Sequence, residues 1–167
     1  YALYINRRLA AFGQYADYPD YKVYDELSVS EFCKSGGNEV IFLVWYYGVN
    51  TQNYIVDPAG LIFEISVNDK VIAESGKETL SRLCVNYENG YKKMITSQLG
   101  LSFKYYGNRK NDLIFTPSVI IQKSKNLYPR PNEKLVLKDR LPVNVEKKEC
   151  GYQIDMGAET VGFLDFD

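Results

Sequence analysis

Trp45-Tyr46-Tyr47, followed by Asn50, Gln52, Asn53 and Tyr54, is the stretch whose residue types could hold a ligand. Aromatic rings can stack on the apolar face of a pyranose, and planar amides can pair with its hydroxyls. Strand alternation opposes this, because it buries at least one of three consecutive aromatics, with Trp45 or Tyr47 expected beside Phe63. Core packing is therefore the first reading and a ligand-facing rim the second. Tyr15, Tyr18 and Tyr21, interleaved with Asp17 and Asp20, form a second aromatic cluster. It reads as a contact with a neighbouring domain, which would supply partners for the hydroxyls.

Carboxylates gather at two places. Asp17, Asp20 and Asp25 share one loop, and Asp155 and Glu159 share one turn. An acid–base pair could be built from either, but turn carboxylates and strand-end caps account for both. Calcium could use Asp17, Asp20 and backbone carbonyls, although the spacing is not that of an EF-hand. The chain has no histidine, and no serine or cysteine sits in a nucleophile setting, so acyl transfer lacks a base. Cys33, Cys84 and Cys150 are far apart with no Cys-x-x-Cys pair, and read as structural thiols rather than a zinc site. No metal or other cofactor is expected.

Twenty Lys and Arg nearly balance twenty-one Asp and Glu, which leaves no bulk positive field for a nucleic-acid backbone or an anionic membrane. No run approaches the roughly 20 apolar residues of a membrane span. Fifteen tyrosines in a chain rich in Val, Ile and Leu favour strands. The 167 residues allow one domain plus the start of another.

The elements that would position these residues are short strands. Leu3 to Ile5 and Leu9 to Phe12 form a hairpin, with Asn6 suited to positive φ in a two-residue turn. Ser28 to Phe32 could make one helical turn with a Ser28/Glu31 capping box. Val40 to Tyr47 is a continuous apolar run read as a core strand. Leu61 to Val67 turns through Asn68-Asp69 into Val71 to Ala73. Only short, closely spaced strands appear, the pattern of an all-β antiparallel β-sandwich or jelly roll. Leu3, Ile5, Val40, Phe42, Val44, Leu61, Phe63 and Ile65 are expected inward. Tyr128-Pro129-Arg130-Pro131 marks an extended connector. The expected layout is a sandwich over 1–117, a connector over 118–138 and the leading hairpin of a following β domain over 139–167. That hairpin would pair Tyr152–Met156 with Val161–Phe166 around Gly157-Ala158-Glu159. Its strand-like end, and the strand-like start at Tyr1 to Ile5, lead us to expect an excised segment of a larger protein, so export route and location stay open.

Tyr1-Ala2-Leu3-Tyr4-Ile5-Asn6, the tyrosine-rich Tyr21 to Asp25, Gly37-Asn38-Glu39-Val40-Ile41, and Gly60-Leu61-Ile62-Phe63-Glu64-Ile65 follow one another in order. Together with Leu127 to Pro131 and the Asp155 to Leu164 segment, they resemble the N-terminal region of the bacterial α-L-rhamnosidases. These are large glycoside hydrolases with several β-sandwiches ahead of an (α/α)6 barrel. Arg7 stands where the family usually has glycine. The resemblance implies a galactose-binding-like jelly roll and a catalytic pair on the absent barrel, since glycoside hydrolysis needs two carboxyls roughly 5 to 10 Å apart. It implies a non-catalytic segment that positions the barrel or shapes substrate access. The alternative is a lectin-like carbohydrate-binding module. Partners would be the parent hydrolase's other domains and rhamnose-containing glycans.

Overall fold

A computed structural model describes residues 1–13, 20–52, 54–88, 94–96, 100–121, 126–133, 136, 138, 139 and 141–162. It divides into two compact units, Tyr1–Lys134 and Leu135–Asp167. Among the described residues there is no α-helix, and no helix is long and apolar enough to cross a membrane. The chain is all-β, built from several small and mainly antiparallel sheets.

In the first unit the strands are β1 (Ala2–Ile5), β2 (Arg8–Phe12), β3 (Lys22–Tyr24), β4 (Val40–Leu43), β5 (Glu64–Val67), β6 (Lys70–Glu74), β7 (Leu80–Ser81), β8 (Met94–Thr96), β9 (Gly100–Leu101), β10 (Thr116–Pro117) and β11 (Leu127–Pro129). β1 is the middle strand of the order β2-β1-β4, antiparallel to both neighbours. The expected first hairpin forms, with Asn6 at φ 50° and Arg7 at φ 67°. This is the double positive φ of a turn whose twist matches the strands it joins. Asn6 also reaches out of the turn. Its Nδ2 donates to the Phe32 carbonyl and to Asn38 Oδ1, each at 2.8 Å, and its Oδ1 accepts from the Glu39 N–H at 3.2 Å. One asparagine thus fixes the turn against the segment that feeds β4.

Leu3 faces Phe42 and Ile5 faces Val40 across the β1–β4 ladder, so these four share one side of the sheet. Leu3, Ile5 and Leu101 are buried, and Phe42 carries this core outward by stacking on Phe63 at 5.0 Å. Of the side chains expected inward, Phe42, Phe63 and Ile65 are half-buried, but Val40, Val44 and Leu61 are exposed. The apolar run from Val40 is also shorter as a strand than expected, ending at Leu43. A run apolar at every position does not say where pairing stops, and here the ladder with β1 ends at Leu43.

Asn68 and Asp69, at φ 49° and 60°, make the second expected hairpin, β5–β6. Its first strand starts at Glu64 rather than Leu61. The expected helical turn is a 3-10 turn over Ser30–Phe32, with Val29 at its cap position and no side-chain capping bond, so the Ser28/Glu31 box does not form. β3 and β11 pair in parallel, Lys22 with Leu127 through Tyr24 with Pro129. Part of the expected connector is therefore a strand of the first unit.

Among its described residues the second unit holds one hairpin, β12 (Asn144–Lys148) with β13 (Gly151–Asp155). The expected turn at Gly157-Ala158-Glu159 is replaced by one at Glu149-Cys150, because residues 151–155 pair with the strand before them. Val161 and Gly162 are not in a strand, and Phe163 to Phe166 lie outside the described residues. The Asp155 carboxylate accepts the Gly157 N–H at 2.8 Å, a local turn bond at the end of β13.

Candidate functional site

Trp45, Tyr46 and Tyr47 follow β4 in a stretch without strand pairing. Gly48, at φ +70°, ends it, with the Tyr46 ring folded over that glycine. The chain then curls back. Asn50 Oδ1 accepts the Val56 N–H at 2.7 Å, and the Thr51 N–H donates to the Tyr54 carbonyl at 2.9 Å. These bonds return Tyr54 to Tyr47, their ring centroids 5.0 Å apart.

From Tyr47 the rings continue. Trp45 lies 5.3 Å from Tyr47 and 5.1 Å from Phe103, edge to face in both cases. Phe103 meets Tyr87 at 5.4 Å, and Tyr87 meets Tyr105 at 5.0 Å. The last two come together because residues 86–88 run antiparallel to 104–106. Tyr87 bridges Tyr105, the Glu88 N–H donates to the Lys104 carbonyl at 2.9 Å, and the Tyr106 N–H donates to the Asn86 carbonyl at 2.7 Å. Asn86 secures that corner, its Nδ2 donating to the carbonyls of Tyr106 and Arg109. Six aromatic rings thus form one row, Tyr54–Tyr47–Trp45–Phe103–Tyr87–Tyr105.

The row is partly open. Trp45 is 44% exposed, Phe103 51% and Tyr105 56%, whereas Tyr47, Tyr54 and Tyr87 are half-buried. Burial, then the neighbouring Tyr4, Tyr105 and Cys84, push the Tyr87 phenol above its ordinary pKa. Phe63 does not join Trp45 or Tyr47 as expected but stacks on Phe42. Of the sequence candidates, Trp45, Tyr47 and Tyr54 are brought together. Asn50 closes the loop behind them, Gln52 is exposed, and Asn53 lies outside the described residues. The row offers apolar ring surface together with the phenols of its four tyrosines.

A second constellation was not legible as such. Asp25 sits directly after β3 and Arg130 directly after β11. Arg130 Nη2 donates to Asp25 Oδ2 at 2.8 Å while its Nε donates to Oδ1, a bidentate pair. The Tyr1 hydroxyl donates to the same Oδ2 at 2.6 Å. The Asp25 and Arg130 side chains are only 9% and 12% exposed. The reading of Asp25 as a solvated turn carboxylate is therefore corrected: it is a half-buried anion that accepts from both the Arg130 fork and the Tyr1 hydroxyl. Burial, then the hydrogen bond and charge of Asp25, push the Tyr1 phenol far above its ordinary value, and Arg130 opposes them. A pocket of about 260 Å³ lies alongside, lined by Tyr24, Asp25, Glu26, Pro129, Arg130 and Asn132. A signal existed in the lone arginine between two prolines, but nothing local names its partner.

Asp20 and Tyr21 are exposed, and Tyr15, Asp17 and Tyr18 lie outside the described residues. Among the described residues no group of three His, Cys, Asp or Glu could hold a metal ion. No family model, no curated protein and no solved structure matches this chain.

Proposed function

We propose that this chain is a non-catalytic β segment of an α-L-rhamnosidase-like glycoside hydrolase, positioning the catalytic barrel or shaping access to it. The small sheets are, in this reading, strands of a jelly-roll sandwich whose open faces other domains of the parent cover. The observation that carries it is β6. Val71 and Ile72 are consecutive, so they point to opposite faces, yet they are 45% and 61% exposed. A strand apolar and bare on both sides is built to be covered. The resemblance at Tyr1 to Asn6, Tyr21 to Asp25 and Gly37 to Ile41 supplies the class of parent. The test has two arms. The purified chain should not hydrolyse aryl α-L-rhamnosides, and activity that follows it through purification would overturn the reading. The sequence encoded after Asp167 should continue to a helical barrel with paired glutamates, and a different catalytic fold there would overturn the parent's class.

A carbohydrate-binding module is the second reading, favoured by the exposed Trp45, Phe103 and Tyr105 in one row. Trp45, the single tryptophan, reports on it directly. Saturable change of its fluorescence with rhamnose or rhamnosides supports the module, and no change at millimolar sugar leaves the positioning role alone.

A further inference from the structure

Three stretches remote in sequence meet at one carboxylate: Tyr1, which leads into β1, Asp25 at the end of β3, and Arg130 at the end of β11. We propose that Leu127–Arg130 is a strap that closes on β3, and that Asp25 is the catch coupling strap closure to the N-terminal hairpin.

The strap cannot hold itself by backbone bonds. β3 and β11 are three residues each, paired in parallel, and among the described residues no third strand joins them. Such a short pair is not independently stable, and parallel pairing is the weaker kind. Side chains must hold it. The guanidinium takes both oxygens of Asp25, and the Tyr128 ring lies on Tyr21. Both charged groups are mostly shielded from water, so loss of either takes a forked, shielded partner from the other, which favours a cooperative opening.

The same carboxylate reaches the other end of the unit. Tyr1 spends its hydroxyl on Asp25, and its ring packs so tightly on Gly13 that a Cβ there would overlap it. Tyr1 and Gly13 close the β1–β2 hairpin, with the Gly13 N–H donating to the Tyr1 carbonyl at 2.9 Å. Opening the strap therefore removes the charge that fixes Asp25, and with it the anchor of the Tyr1 ring. Asp25 is a positioning residue in this scheme.

Amide exchange on the whole chain tests it at three sites. The residue-130 amide reports the strap, the Gly13 amide reports the hairpin end, and the Ser75 amide, bonded to the Phe63 carbonyl at 2.9 Å, reports the rest of the unit. Arg130→Gln should speed exchange at residue 130 by roughly a hundredfold and at Gly13 by roughly tenfold, with Ser75 unchanged. Tyr1→Phe should speed Gly13 exchange and, to a smaller degree, residue 130. Should Arg130→Gln accelerate all three amides together, Arg130→Lys, which keeps the charge without the fork, must still accelerate residues 130 and 13 ahead of Ser75. Unchanged exchange at residue 130 in both arginine variants overturns the catch. Acceleration at residue 130 with Gly13 unmoved overturns the coupling.

Discussion

Tyr128 lies flat on Tyr21, their ring centroids 4.0 Å apart and their planes within 5° of parallel. The stack joins Tyr21, the residue before β3, to Tyr128, the middle residue of β11, and so ties the two strands at a second place besides the Asp25–Arg130 pair. Aromatic pairs contribute about 0.5–1.5 kcal/mol beyond their burial. A double-mutant cycle of Tyr21→Ala and Tyr128→Ala, followed by urea unfolding, should return a coupling energy in that range. A coupling near zero would mean the stack does not help hold the strap.

The first turn offers two substitutions of opposite sign. Arg7 holds φ +67° without being glycine, so Arg7→Gly should relieve left-handed strain and stabilise the unit by up to about 1 kcal/mol. Asn6→Ala should instead cost about 1–3 kcal/mol, because it abandons the bonds to Phe32, Asn38 and Glu39. Denaturant midpoints of the two variants should fall on either side of the parent's.

Gly13 is a steric test of the Tyr1 ring's position. A methyl group there overlaps Tyr1 Cε1, so Gly13→Ala must displace the ring and should cost about 1–3 kcal/mol. Gly37, with nothing within 4 Å of an added Cβ and no positive φ, is the control: Gly37→Ala should leave the thermal midpoint nearly unchanged.

The Tyr1 phenol sets a pH dependence. Its folded-state pKa lies above the ordinary value of 10.0, so the folded chain binds this proton more tightly than the unfolded one. The stabilisation it brings is complete below about pH 10 and is lost as the pH rises from there toward the folded-state value. Tyr1→Phe should be less stable than the parent at pH 8, and the gap between them should narrow above pH 10. A gap that stays constant across that range would show that Asp25 does not hold the proton.

What the sequence made legible was local. Asn6 and Asn68-Asp69 announced their hairpins because a two-residue turn is decided by the φ its own residues accept. Trp45, Tyr47 and Tyr54 could be nominated together because one short loop returns the chain. Phe103, Tyr87 and Tyr105 could not, since their place in the row depends on pairing between 86–88 and 104–106 and on where that pair lies relative to Trp45. Asp25 was misread for the same reason. It follows a short strand, where a solvated carboxylate is ordinary, and the cation that pairs with it is 105 residues away. The apolar run from Val40 failed differently: uniform hydrophobicity carries no period, so neither its end at Leu43 nor the exposure of Val44 could be read from it.

The parallel pairing of β3 with β11 also fixes an order of events during synthesis. Lys22–Tyr24 leaves the ribosome long before Leu127–Pro129 exists, and at about 5–20 residues per second the 105-residue interval lasts roughly 5 to 20 s. Throughout that wait neither the Arg130 fork nor the Tyr128 ring is there to meet Asp25 and Tyr21. The β1–β2 hairpin, complete within the first thirteen residues, can form at once. The nascent chain therefore acquires its first turn early and its clasp late, and conditions that slow translation between residues 25 and 130 prolong the stage at which β3 has no strand beside it.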